Sequence, residues 1–97
     1  MKPEELGDNA KDASKLLKAM GNEKRLMILC HLVDGEMSVG ALEKLVVLSQ
    51  SALSQHLARL RNDGFVKTRR DAQTIYYSLK GDEAKQVMGT LHSIYCE

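Results

Sequence analysis

The stretch from Ser49 to Gly64 constrains this chain more than any other. It reads Ser49-Gln50-Ser51-Ala52-Leu53-Ser54-Gln55-His56-Leu57-Ala58-Arg59-Leu60-Arg61, with leucines four and three residues apart at 53, 57 and 60. That spacing puts the leucines on one side of a helix and leaves Gln50, Ser51, Ser54, Gln55, Ala58 and Arg59 on the other. Ser49 is a favoured N-cap residue and Gly64 a favoured stop. A helix that met only solvent would be filled with Glu and Lys. This one instead presents amides and hydroxyls at its N-terminal end, where a helix entering a DNA major groove must be slim and able to reach base edges. Gln50 and Gln55 can pair with adenine, Ser51 and Ser54 with base or phosphate, and Arg59 and Arg61 with phosphate. His56 bonds the DNA-facing backbone or packs beneath the neighbouring strands.

The rest of the chain reads as a frame for that helix. Leu6, Ala10, Ala13, Leu16, Leu17 and Met20 predict a first helix ending at a left-handed Gly21. Asn22 is the expected N-cap of a second helix with Leu26, Leu29, Cys30, Leu32 and Val33 inward, ended by Asp34-Gly35. Ser38 caps a short third helix that sends Val39, Leu42, Leu45 and Val46 to the core. After Gly64, the runs 65–70 and 74–79 are rich in β-branched and aromatic residues. Ile75, Tyr77 and Leu79 alternate with polar neighbours, and Asp71-Ala72-Gln73 forms the tip of a hairpin. A last helix, capped by Asp82, carries Ala84, Val87, Met88, Leu91, Ile94 and Tyr95 on one broad stripe.

The order is therefore ααααββα: mainly α with a small β-hairpin, a winged helix-turn-helix in a single domain spanning 1–97. With 97 residues, the chain has little surface to hide apolar groups beneath, and the last helix is too apolar for one small core. Charge supports a nucleic-acid partner. From Ser49 to Lys80 there are six basic and two acidic residues, a local +4 in a chain whose net charge is +1. Arg69 and Arg70 lead into the hairpin tip and Gln73 and Thr74 lead out, so the ribbon can follow the DNA backbone. No apolar run approaches the ~20 residues of a membrane span. The polar, acidic start excludes a secretory signal, which predicts a cytoplasmic protein with reduced thiols. No C-x-x-C pair, phosphate loop or nucleophile–base arrangement points to a zinc ribbon, a cofactor or an enzyme.

Three segments together carry a family resemblance: Lys18-Ala19-Met20-Gly21-Asn22-Glu23-Lys24-Arg25-Leu26-Met27-Ile28-Leu29, the run from Leu48 to Arg61, and Gly64-Phe65-Val66. Nearly the whole chain resembles the ArsR-type bacterial repressors, and Ser54-Gln55-His56-Leu57 is the most specific part. The resemblance implies a homodimer, joined through its first and last helices, that binds an inverted-repeat operator in double-stranded DNA. Two-fold symmetry would set the reader helices about one DNA turn, ~34 Å, apart.

Members of this family mostly sense something. The third helix, residues 38–47, contains no Cys, His or Asp, so the usual thiolate metal site is missing. Ile28-Leu29-Cys30, Tyr95-Cys96 and the Ala72-Gln73-Thr74 tip instead resemble the dithiol subgroup that senses persulfide or oxidant. The resemblance implies that Cys30 and Cys96 become bridged in the presence of a reactive sulfur species or an oxidant. Two other readings stay open at this level. His92 and Cys96, four apart on a helix, can share a metal with Cys30 or His31. The polar helix can instead dock on another protein.

Overall fold

The computed structural model describes residues 1–96. Its elements run α1 (Pro3–Gly7), α2 (Ala10–Met20), α3 (Glu23–Leu32), β1 (Met37–Ser38), α4 (Val39–Leu45), α5 (Gln50–Asn62), β2 (Val66–Asp71), β3 (Thr74–Leu79) and α6 (Glu83–Tyr95). This is a winged helix-turn-helix, mostly helical, with one small antiparallel sheet in the order β1-β3-β2. Among the described residues, the buried core is entirely apolar. Ile28, Leu29 and Leu32 of α3, Leu42 of α4, Leu53, Leu57 and Leu60 of α5, and Val66 of β2 are all shut off from solvent.

Side-chain caps set the frame. Asn22 Oδ1 accepts from the amides of Lys24 and Arg25 at 2.9 and 3.1 Å, Ser38 Oγ from Ala41 at 3.1 Å, and Ser49 Oγ from Ala52 at 3.1 Å. Each satisfies N–H groups that a helix start leaves without an internal partner. At the far end of α5, Gly64 takes φ +84°. There the Phe65 amide donates to Leu60 O and the Gly64 amide to Arg61 O, at 2.9 and 3.1 Å. This Schellman arrangement turns the chain straight into β2.

Several expectations need correction. The single first helix is two, because Gly7, Asp8 and Asn9 are poor helix residues and break it between α1 and α2. Gly21 is not left-handed; its φ is −76°. The end of α2 is capped otherwise, by the Arg25 side chain: Nε donates to Ala19 O at 2.6 Å and a terminal nitrogen to Lys18 O at 3.2 Å. The expected hairpin belongs to a three-stranded sheet, since Met37 and Ser38 pair with Tyr77 and Tyr76. Strand pairing also joins Asp71 to Thr74, so the tip is the two-residue loop Ala72-Gln73, with Ala72 at φ +56°. All of 75–79 is half-buried rather than alternating, because β3 is the middle strand.

Two inward assignments were also wrong. Leu45 is exposed, lying to one side of the direction shared by Leu42 and Val46. Cys30 is exposed as well. The core face of α3 is set by Ile28, Leu29 and Leu32, and at a helical period Cys30 points to the opposite side. Finally, Asp82 sits at the N-cap of α6 without capping a backbone amide; it accepts instead from Gln86 Nε2 at 2.8 Å.

Candidate nucleic-acid interface and thiol groove

α4, the turn at 46–49 and α5 form the helix-turn-helix, and β2 and β3 form the wing. Burial of Leu53, Leu57 and Leu60 fixes the rotation of α5 about its axis. Ser49, Gln50, Ser51, Ser54, Gln55 and Arg59 are consequently all exposed. They share one continuous polar face, with the small Ser51 and Ser54 nearest the capped end. His56 is half-buried on the flank. Partial desolvation, aided by the nearby Arg25 charge, holds its pKa below the usual histidine value. A neutral imidazole keeps one acceptor and one donor nitrogen at physiological pH.

On the wing, Arg69, Arg70, Gln73 and Thr74 are exposed. Arg69, however, is not idle. It grips Glu36, just before β1, with two nitrogens at 2.6 and 3.2 Å, and its Cζ lies 4.5 Å from the centre of the Tyr76 ring. The pair lowers the Glu36 pKa and raises that of Arg69. To contact a phosphate, Arg69 must exchange Glu36 for it, whereas among the described residues no ion pair holds Arg70. Sequence reading missed Glu36 because the partners stand 33 residues apart and nothing local links them.

Away from the reader helix, α3 and α6 enclose an open, mainly apolar groove of about 630 Å³. Cys30 on one wall and Cys96 on the other both line it, together with Leu26, Met88, Leu91 and His92. Both cysteines are free thiols and both are exposed. The outward turn of Cys30 is therefore what lets it share a groove with the chain's last turn. Among the described residues, no three His, Cys, Asp or Glu side chains are grouped to hold a metal ion. Nor is any described helix long and apolar enough to cross a membrane.

Comparison with known proteins agrees with this geometry. Residues 22–68 match the family described as "Bacterial regulatory protein, arsR family". The transcriptional activator HlyU of Vibrio cholerae is 54% identical over 97 residues, covering 100% of this chain and 90% of that protein. The biofilm growth-associated repressor of Xylella fastidiosa is 41% identical over 96 residues, covering 99% and 84% respectively. The crystal structure of the transcriptional repressor BigR from Xylella fastidiosa superposes with a TM-score of 0.94 at 40% identity, over 100% of this chain and 99% of that one. Those relatives are regulators, not enzymes, and the reader helix lies wholly inside the matched segment. This chain belongs to the ArsR family of bacterial transcriptional regulators.

Proposed function

We propose that this regulator works as a homodimer that reads an inverted-repeat operator through α5 and loses or alters that grip when Cys30 and Cys96 are bridged. The observation that carries the DNA reading is the fixed rotation of α5: its leucines are buried and Gln50, Ser51, Ser54 and Gln55 all face out. Gln50, Ser51, Ser54 and Gln55 read base edges. Ser49, His56, Arg59, Arg70, Gln73 and Thr74 position the backbone, joined by Arg69 once it releases Glu36. Dimerisation is supported by α6, whose Ile94 and Tyr95 stay 61% and 79% exposed in a single protomer. The protein acts in the cytoplasm, where thiols are held reduced until a signal arrives.

The sensing step rests on two exposed thiols lining one groove. A thiolate of the pair attacks the outer sulfur of a persulfide RSSH, giving a cysteine persulfide and RSH. The second thiol then attacks the inner sulfur, forming the disulfide and releasing H₂S. With a peroxide, the first thiol becomes a sulfenic acid while the peroxide is reduced to an alcohol or water, and the second thiol expels water. Either product ties α3 to α6 and so couples the groove to the dimer. The metal-sensing reading needs three ligands brought together, an arrangement not found among the described residues.

Gel retardation of promoter fragments under reductant tests the first half: binding should weaken steeply with salt. Failure to retard any promoter fragment overturns it. For the second half, Cys30→Ser and Cys96→Ser should each bind like the reduced parent yet ignore persulfide. A single variant that responds in full removes the dithiol step. Mass spectrometry of the two single-cysteine variants, in which the bridge cannot close, separates an added sulfur after persulfide from an added oxygen after peroxide; in the parent both routes end in the loss of two hydrogens.

A further inference from the structure

A second charged surface lies beside the reader helix. α2 carries Lys11, Lys15 and Lys18 at i, i+4 and i+7, so the three stand in one row along the helix. All three are exposed, and they line a groove of about 440 Å³ closed on its other side by Arg59 and Asp63 of α5. Four cations thus meet two carboxylates, Asp12 and Asp63. Asp63 is already spoken for, at 3.7 Å from Arg59 Nε. Among the described residues, none of the three lysines forms an ion pair.

Such a row opposes the local physics. Like charges at i, i+3 and i, i+4 destabilise a helix, and a row meant only for solubility would interleave acids. The cost is offset when a polyanion lies across the row. Continuity indicates which polyanion. Arg59 follows Gln55 by one helical turn on the exposed face of α5, so the groove begins where the reader face ends.

Resting on the reading of α5 as the DNA-contacting helix, we infer that Lys11, Lys15 and Lys18 with Arg59 form a phosphate-binding rail. This rail holds the sugar–phosphate backbone bordering the major groove that α5 enters. It contributes affinity without sequence preference, because phosphates are alike in every sequence. The sequence charge count misses it: the three lysines sit outside the basic segment 49–80, in a part of the chain whose acids mask them.

The test is the salt dependence of binding, measured by anisotropy on the promoter fragment the parent protein retards and on a scrambled duplex of equal length. Each phosphate contact contributes about 0.9 to the slope of log K against log salt. Lys11→Gln/Lys15→Gln/Lys18→Gln keeps helix propensity, since Lys and Gln rank together. It should lower the slope by about 2 to 3 and weaken both duplexes alike. Gln55→Ala should do the reverse, losing preference for the promoter at an unchanged slope. Lys85→Gln, which removes a cation from the thiol groove, calibrates the effect of net charge. An unchanged slope in the triple variant overturns the rail and favours an acidic protein as the partner of that row. An equal loss per charge for Lys85→Gln overturns it too. If the parent binds no DNA at all, the reading of α5 fails, which is a distinct result.

Discussion

α5 and α6 are both thirteen residues long and both amphipathic, yet the protomer treats them differently. α5 has three leucines with no more than 1% exposure, so its apolar side is complete and its polar side is free to act. α6 has one buried residue, Ala84, while Val87, Met88 and Leu91 are only half-covered and Ile94 and Tyr95 are open. The radius of gyration, 14.3 Å, exceeds the roughly 13 Å of a compact 100-residue domain. One helix is finished by its own chain; the other leaves open an apolar stripe that the proposed second copy would cover. The contrast teaches that reading and assembling are separate tasks, with the thiol groove on the assembling side.

The largest effect should come from undermining the finished helix. Leu57→Ala leaves a cavity in a sealed core and should cost about 2–5 kcal/mol, against a total of roughly 5–15 for a domain. Urea denaturation will measure it. In dilute solution, where protomers separate, Ile94→Ala should cost under about 0.5 kcal/mol, as exposed substitutions do. An equal cost at both positions would mean that α6 is covered within the protomer, and the comparison would fail.

The next effect is on assembly. Ile94→Asp places a charge on the open stripe, once in each copy, and should weaken association by about 2 kcal/mol or more. Sedimentation should show protomers where the parent shows dimers, and operator affinity should fall with the lost second half-site. The fold itself should survive, as far-UV circular dichroism will show. A variant that stays dimeric would move the interface away from α6.

How much of this was legible beforehand follows the range of each interaction. Asn22, Ser38 and Ser49 cap their helices as their sequence positions suggest, because a cap bond spans two or three residues. The α5 leucines were equally plain, since a helical period repeats within the segment that shows it. β1 was invisible: two residues carry no alternation, and their partners lie some forty positions on. Arg25 closing α2 and Arg69 gripping Glu36 are tertiary acts that no window contains. Cys30 was misread because an apolar neighbourhood in sequence covers the whole circumference of a helix, while the core takes only part of it. That both thiols line one groove depends on how α6 packs back on α3, which spacing alone does not encode.

The two N-termini sharpen the contrast at smaller scale. Ser49 caps α5 with a bond to Ala52, whereas Asp82 makes no such bond for α6. Ser49→Ala should therefore cost about 1 kcal/mol and blunt DNA binding by loosening the first turn of the reader. Asp82→Ala should cost no more than about 0.5 kcal/mol, as an exposed substitution does. Similar losses at the two positions would show that the α6 terminus depends on Asp82 in a way its hydrogen bonds do not reveal.

The smallest predicted effect concerns the flank of α5, where His56 meets the charge of Arg25. Burial, with help from that charge, lowers its folded pKa below the ordinary 6.5. The unfolded chain then binds the proton more readily than the folded one. Stability from the neutral imidazole is complete above pH 6.5 and is lost as pH falls from there toward the lowered folded value. Unfolding midpoints measured between pH 8 and 5 should decline below pH 6.5, and His56→Gln should remove that part of the slope. Because the ring is only half-buried, the change should be modest. A His56→Gln profile parallel to the parent's would place the titrating group elsewhere and leave the α3-facing flank of α5 with no role in acid sensitivity.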